Sequence, residues 1–378
     1  MRVLYVSGAL YSGNGSIVHA QEFLSALSSF PDENVEVDIL PENLFIDGKF
    51  KKLLSFLIPS LSVLSKTMDK MIDKNNYDLV IIRNFYDISL PRRVKKKNKN
   101  SLVFVEFNDL ICDRSFMNFA SLNRYFVAKE IDCISCADMI FPVSSQLEKR
   151  LRGLGVDSGK VTVNHNGVSV EKFDNRIYNK SLLLKEYKIP NDSLVLCYTG
   201  SITKAKKLDL VIESIRRVSE KVDNKLFFIL ATDGKAGDEI DMILKAKLKS
   251  YVGYNRYFWL PHDDIPKLLA ISNIGLFPFT SPYMSPLKLF EYLAMGVLTI
   301  GPRTPAVEEV FDDGNHLILV DDQPEFEDML LEMIKNYDRF YESIASRGAK
   351  HVRENYTWKK NVERVLGKYF ELVALRGN

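Results

Sequence analysis

Cysteine is scarce in this chain: its 378 residues hold four, Cys112, Cys133, Cys136 and Cys197. "CISC" at 133–136 has the spacing of a redox or zinc pair. It lies inside "KEIDCISCADMIF", which reads as a helix running into a strand, and no second Cys/His pair stands nearby. Two small buried residues one helical turn apart is the competing reading. Histidine is also sparse. His19, His165, His262, His316 and His351 are not paired at metal spacing, and the Asp pairs at 263–264, 312–313 and 321–322 all fall in turn contexts. No metal and no other cofactor is expected. No apolar run reaches transmembrane length. Met1-Arg2 leads straight into "VLYVSG", a strand pattern rather than the apolar core of a secretory signal. A reducing, cytoplasmic setting is the expectation. A global excess of one charge is missing too: 51 Lys+Arg stand against 49 Asp+Glu, a net +2, which argues against nucleic acid as a partner.

What the chain does have is length and pattern. With 378 residues, 46% of them hydrophobic, it is globular and too long for one ordinary core, so two domains are expected. "RVLYVSG", "VEVDIL", "YDLVIIR", "SLVFVEFN" and "ADMIFPVS" read as apolar strands, and "SIVHAQEFLSALSSF" as an amphipathic helix between them. The pattern stops in a turn-rich, polar stretch near 163–193. It restarts with "LVLCYTG", "KLFFILATDG", "RYFWLP", "NIGLFPF", "VLTIGP" and "HLILV", with helical patterns between most of them. Continuous apolar strands with helical crossovers predict an α/β protein with two Rossmann-like domains, each built on a parallel sheet covered on both faces. Ligands then bind beyond the carboxyl ends of the strands, and two facing domains would share a cleft.

Three strand exits stand out. "SGALYSGNGSIVHA" carries Gly13, Gly15 and Ser16 ahead of a helix, but Val18 breaks the dinucleotide spacing. Small residues at a helix N-terminus still suit phosphate; a surface loop is the alternative. "CYTGSITKAKKLDLVIESI" leads from Gly200 and Ser201 into Lys204, Lys206 and Lys207. Lysines beside a helix N-terminus oppose the helix dipole, which is tolerable when an anion lies between them; a solvated cluster is the alternative. In "TSPYMSPLKLFEYLAMGVLTIGP", Ser285 is an expected N-cap, Pro286 fits the first turn and Gly296 the C-cap. Lys288 and Glu291 lie one turn apart, as an exposed ion pair would. Placed at a strand end, Glu291 would instead face ligand and accept hydroxyl hydrogen bonds. Between 51 and 100, twelve Lys/Arg face four Asp/Glu. That surplus is read either as a solvated surface or as a contact with an anionic membrane or acidic acceptor.

Taken together, these segments resemble the retaining family 4 of the GT-B glycosyltransferases (glycosyl transferases group 1). The resemblance runs over nearly the whole chain and is strongest in 160–320. "VNHNGVSVEKF", "YTGSITKAKKLDLVIESI", "LPHDDIPKLLAISNIGLFPF" and above all "SPLKLFEYLAMGVLTIGPRTPAVEEV" carry it, with "YTWKKNVE" resembling the family's closing helix. The resemblance implies a GT-B fold: an acceptor-side domain over 1–165, a nucleotide-sugar domain over 166–355, and a closing helix over 356–378 that returns to the first domain. It implies transfer of a sugar from a nucleoside-diphosphate sugar, as co-substrate, to a hydroxyl on a glycan or lipid-linked acceptor, in cell-surface polysaccharide or glycolipid assembly. Glu291 would hold the ribose, Lys206 the diphosphate, and the helix start at Ser285, Pro286, Leu287 and Lys288 would meet the phosphates. Gly13 to Ser16 would approach the donor phosphate or acceptor, and Gly200, Ser201 and His262 would complete the donor site. Three positions depart from the pattern. Tyr283 replaces a sugar-reading glutamate, Ser201 a phosphate-binding arginine, and Asn108 of "FND" a common histidine. A sugar-nucleotide 2-epimerase on the same fold, or a non-catalytic nucleotide- or glycan-binding protein, are the alternatives.

Overall fold

The computed structural model describes residues 1–7, 15–30, 35–41, 63–83, 88–110, 120–233, 237–248, 252–282 and 284–377. The chain divides into two compact units. The first takes residues up to His165 other than Gly13–Gly15, together with Trp358–Asn378; the second takes Asn166–Thr357.

In the first unit β1 (Arg2–Ser7), β2 (Glu36–Pro41), β3 (Leu79–Arg83), β4 (Leu102–Phe107) and β5 (Met139–Pro142) form one parallel sheet in the order β2-β1-β3-β4-β5. Strands β3, β4 and β5 are buried at every position, the consequence of covering both faces of a parallel sheet. The last helix, Trp358–Gly377, clusters here although it is last in sequence. Trp358 meets the His19 ring edge-on with centroids 4.5 Å apart. Asn361 donates to the His165 carbonyl at 2.7 Å.

The basic run near residue 91 becomes the helix Leu90–Lys97. Four of its cations are paired within the unit. Arg92 meets Asp132 at 2.6 Å and Lys97 meets Asp73 at 2.7 Å, while Arg93 pairs with Asp69 and Lys95 with Asp138. Four of the five cations of this helix thus meet carboxylates from other elements. Residues 51–62 of the same apolar–basic stretch lie outside the described residues. Cys133 and Cys136 fall at the end of the helix Ala120–Ile134, and both are free thiols.

The second unit carries β6 (Leu194–Thr199), β7 (Leu226–Thr232), β8 (Gly253–Phe258), β9 (Ile274–Leu276), β10 (Leu298–Pro302) and β11 (Ile318–Val320). They form a second parallel sheet, ordered β11-β10-β9-β6-β7-β8. Alternate residues of β7 join separate cores: Phe228 and Leu230 join one, Phe227 and Ile229 the other. That alternation follows from the two-residue period of a strand. The polar stretch after 163 is not all turn, since Asn179 caps a short helix over Lys180–Glu186.

From β6 the chain steps outward to β7 and β8, then crosses back to β9 on the other side. The sheet therefore switches direction between β6 and β9, and the crevice at their carboxyl ends is where such sheets bind ligand. One buried side chain ties the helix Leu287–Ala294 to this point. Tyr292 is fully buried, its hydroxyl accepts the Thr199 N–H at 2.7 Å, and it shares a second bond of 3.0 Å with the Thr199 hydroxyl. Tyr292→Phe is expected to leave that N–H unsatisfied and to lower unfolding stability by about 1–3 kcal/mol, measured by urea denaturation.

Candidate active site

The site grows from three segments of the second unit. The first is the exit of β6. Gly200 has φ +123, a conformation open to glycine, and a Cβ there would lie 2.0 Å from the Lys288 Nζ. Glycine therefore serves twice, giving the turn its shape and letting an ammonium reach the backbone. The loop continues into a short 3-10 helix, Lys204–Lys206, and the buried Lys206 turns back to donate to the Ser201 carbonyl at 3.0 Å and the Ser201 hydroxyl at 2.5 Å. Ser201 thereby orients a cation. Lys207, at φ 43, opens the helix Leu208–Ser219, which has no side-chain cap.

The second segment is the helix Leu287–Ala294. Here the structure corrects the expected cap. Pro286, not Ser285, is the N-cap residue, and no side chain caps the first turn. Ser285 is buried, and its carbonyl accepts from Asn166 Nδ2 at 2.7 Å. That bond fixes the approach to the helix and leaves the first-turn N–H groups of Leu287 and Lys288 without a side-chain partner. The C-terminus follows expectation: Gly296 has φ +70, its N–H reaches Leu293 O at 2.8 Å, and Val297 N–H reaches Tyr292 O at 3.0 Å.

The third segment is the end of β9. Phe277 follows the strand, and its ring gathers both lysines. Lys288 Nζ lies 4.4 Å and Lys206 Nζ 5.9 Å from the ring centroid; Lys288 Nζ is also 5.8 Å from the Tyr198 ring. Cations are stabilised over such faces, but two ammonium groups in one place repel. Burial first, and the Lys206 ammonium second, push the Lys288 pKa well below the usual lysine range, against the pull of Glu291.

Lys288 and Glu291 do not form the ion pair that their spacing allows. Among the described residues Lys288 has no carboxylate within salt-bridge distance. Glu291 is buried, and its Oε1 meets His262 Nε2 at 2.7 Å. His262 in turn packs on Phe173, ring centroids 5.4 Å apart. No hydrogen bond engages Glu291 Oε2 among the described residues, so the carboxylate is oriented by histidine on one oxygen and can accept from a ligand on the other.

The structure therefore brings Gly200, Ser201, Lys206, His262, Ser285, Pro286, Leu287, Lys288 and Glu291 to the carboxyl end of one sheet. Asn108 follows β4 in the first unit, on a different sheet. Gly15 begins the helix Gly15–Ser28, with Ser16 next to it. Gly13 and Tyr283 lie outside the described residues. Sequence reasoning missed Asn166, Phe277, Tyr198 and Tyr292 as supports of the site. It also missed a buried polar group in the first unit around Glu106. Burial pushes the Glu106 carboxyl up, but His19 and Arg83 outweigh it and hold it below the usual range. A glutamate inside the apolar "LVFVEF" was the available signal. Among the described residues no cluster of His, Cys, Asp and Glu could hold a metal ion, and no helix is long and apolar enough to cross a membrane.

The depressed Lys288 has a consequence for stability. Between its folded pKa and the ordinary 10.5, the unfolded chain binds more protons than the folded one, so stability rises with pH across that window. Below the window the penalty is complete and constant. Lys288→Met is expected to remove this slope and to be the more stable protein below the window, seen by urea unfolding at stepped pH.

Comparisons with known proteins bear on the fold and on the second half of the chain. A family described as glycosyl transferase-like matches residues 238–367. The N-acetyl-alpha-D-glucosaminyl L-malate synthase of Bacillus anthracis is 26% identical over 205 residues, 53% of this chain and 52% of that protein. The O-antigen biosynthesis glycosyltransferase WclY of Escherichia coli is 26% identical over 158 residues, 41% of each chain. The chain thus spans about half or less of the length of these relatives. Solved structures match over almost the full chain. Anabaena HepE in complex with UDP has a TM-score of 0.72 at 14% identity, covering 97% of this chain and 100% of that one. A sucrose-phosphate synthase from Thermosynechococcus elongatus has a TM-score of 0.77 at 14% identity, covering 99% and 100%. The chain thus has the GT-B fold of two parallel-sheet Rossmann-like units, and within its second half residues 238–367 match a family described as glycosyl transferase-like.

Proposed function

We propose that this protein is a retaining, metal-independent glycosyltransferase of family 4. It moves a sugar from a nucleoside-diphosphate sugar to a hydroxyl acceptor in polysaccharide or glycolipid assembly. The observation that carries the reading is the convergence of Lys206 and Lys288 over Phe277 beside an uncapped helix start. Two ammonium groups and a set of outward N–H groups match the charge and the acceptors of a diphosphate. Glu291, oriented by His262, then suits the two hydroxyls of a ribose. Ser201 stands where many family members place arginine, and Lys288 supplies the second cation from the helix instead.

In the reaction the bond from the anomeric carbon to the diphosphate oxygen breaks, and negative charge grows on that oxygen. Lys206, Lys288 and the helix N–H groups stabilise it, which lowers the barrier to departure. The acceptor oxygen bonds to the same face of the sugar, and its proton passes to the released diphosphate. This route needs no protein carboxylate as nucleophile. The names of relatives involved in O-antigen synthesis and of neighbours solved with UDP-glucose support the choice of donor and product class. Of the basic run 91–100, contact with an anionic membrane is left to Lys96 and Lys99, since the other cations are paired.

A thermal-shift screen of nucleoside diphosphates is expected to show stabilisation by at least one of them, with saturation. Lys206→Ala should lower turnover of the cognate donor by roughly 10²–10³, measured as sugar transfer. Near-normal turnover would contradict the assignment. Incubation with donor alone should give at most slow hydrolysis; a converted sugar nucleotide would mark an epimerase.

A further inference from the structure

The first unit holds a buried charged group that the diphosphate site does not use. Ser7 on β1, Arg83 on β3 and Glu106 on β4 lie abreast, Ser7 opposite Arg83 and Arg83 opposite Glu106. Their exposures are 0%, 3% and 5%. All three stand at the carboxyl end of the sheet. The chain runs outward from β1 to β2, then crosses to β3, so this sheet changes direction between β1 and β3. Ser7 and Arg83 flank that crevice, the place where such a sheet takes ligand.

The hydrogen bonds here leave one member over. Glu106 Oε1 is engaged by His19 Nε2 at 2.9 Å, and Oε2 accepts from the Tyr5 hydroxyl at 2.8 Å. Arg83 Nη1 comes no nearer to Oε2 than 3.8 Å. Glu106 is therefore a neighbouring charge for Arg83 but not an acceptor. Arg83 Nε and Nη1 are buried and make no hydrogen bond among the described residues. An arginine whose task was to neutralise Glu106 would take its oxygens, yet tyrosine and histidine hold them. A buried guanidinium with unused donors is costly unless an acceptor arrives. Its planar fork matches the oxygens of a carboxylate or phosphate.

We propose that Arg83 is an oxoanion-binding residue, and that the hydroxyl acceptor of this protein carries a carboxylate or phosphate which Arg83 holds at the β1–β3 crevice. The proposal rests on the glycosyl-transfer reading only in calling this ligand the acceptor; anion binding itself stands apart from it. Glu106 sets the orientation of the guanidinium by its charge, and Tyr5 and His19 keep Glu106 from closing onto it.

The test is calorimetric titration of the full chain, at constant ionic strength, with succinate, with inorganic phosphate and with glycerol. UDP is titrated separately first and then kept saturating, so that anions do not compete for Lys206 and Lys288. Wild type is expected to bind one of the two anions saturably and not glycerol, and which one binds tells carboxylate from phosphate. Arg83→Lys and Arg83→Gln should weaken that binding at least tenfold while UDP affinity stays unchanged. No saturable anion binding by wild type, or binding that persists in Arg83→Gln, overturns the proposal. Loss of UDP binding in wild type would count against the donor site instead. Should the variants fail to fold, a selenate soak of wild-type crystals decides: an anomalous peak within hydrogen-bond distance of Arg83 supports the site, and none there rejects it.

Discussion

Two ammonium groups held against one phenylalanine ring are the constraint on which the second unit depends. Lys206 and Lys288 arrive from different segments and meet over Phe277. Like charges so placed repel, and burial adds to the cost. Lys206 leans on the oxygens of Ser201, and Lys288 on aromatic faces. Such an arrangement is stable in a folded protein only because the surrounding structure holds it. Under the proposed function it becomes favourable when a multiply charged anion enters.

The supports are local and specific. Gly200 leaves room for the Lys288 ammonium that any side chain would displace. Tyr292 ties the lysine-bearing helix to the last residue of β6. Asn166 fixes the approach to that helix through the Ser285 carbonyl. His262 takes one oxygen of Glu291, which draws the carboxylate away from Lys288 and prevents the ion pair that would quench the cation. Each bond keeps a charge unneutralised and aimed. Under the proposed function, that is preorganisation for a developing negative charge rather than for packing alone.

Much of this could be read in the sequence. Apolar runs such as "LVIIR" and "LVFVEF" became fully buried parallel strands, because strand burial on two faces leaves no polar alternation. Gly200, Lys206 and Glu291 were read as candidates from segments that follow strand ends, and His262 from the family resemblance; the structure gathers all four in the second unit. The rest was hidden for physical reasons. The N-cap shifted from Ser285 to Pro286 because the Ser285 carbonyl is held by Asn166, 119 positions away in sequence. The Lys288–Glu291 pairing was the natural local reading, and it lost to two tertiary partners, Phe277 and His262. The basic run 91–100 looked like an open surface, yet its partners Asp69, Asp73, Asp132 and Asp138 come from other elements. The unmet donors of Arg83 depend on where Tyr5 and His19 point, which no spacing rule reveals.

If an anion is what reconciles the two lysines, its arrival must raise the lowered Lys288 pKa. Calorimetric titration of UDP at pH 6 to 10, in buffers of different ionisation enthalpy, measures the protons taken up per ligand bound. Net proton uptake that disappears in Lys288→Met, with UDP bound more weakly, is the predicted result. Binding of UDP without proton uptake at any pH in that range, and unchanged by Lys288→Met, would contradict the account.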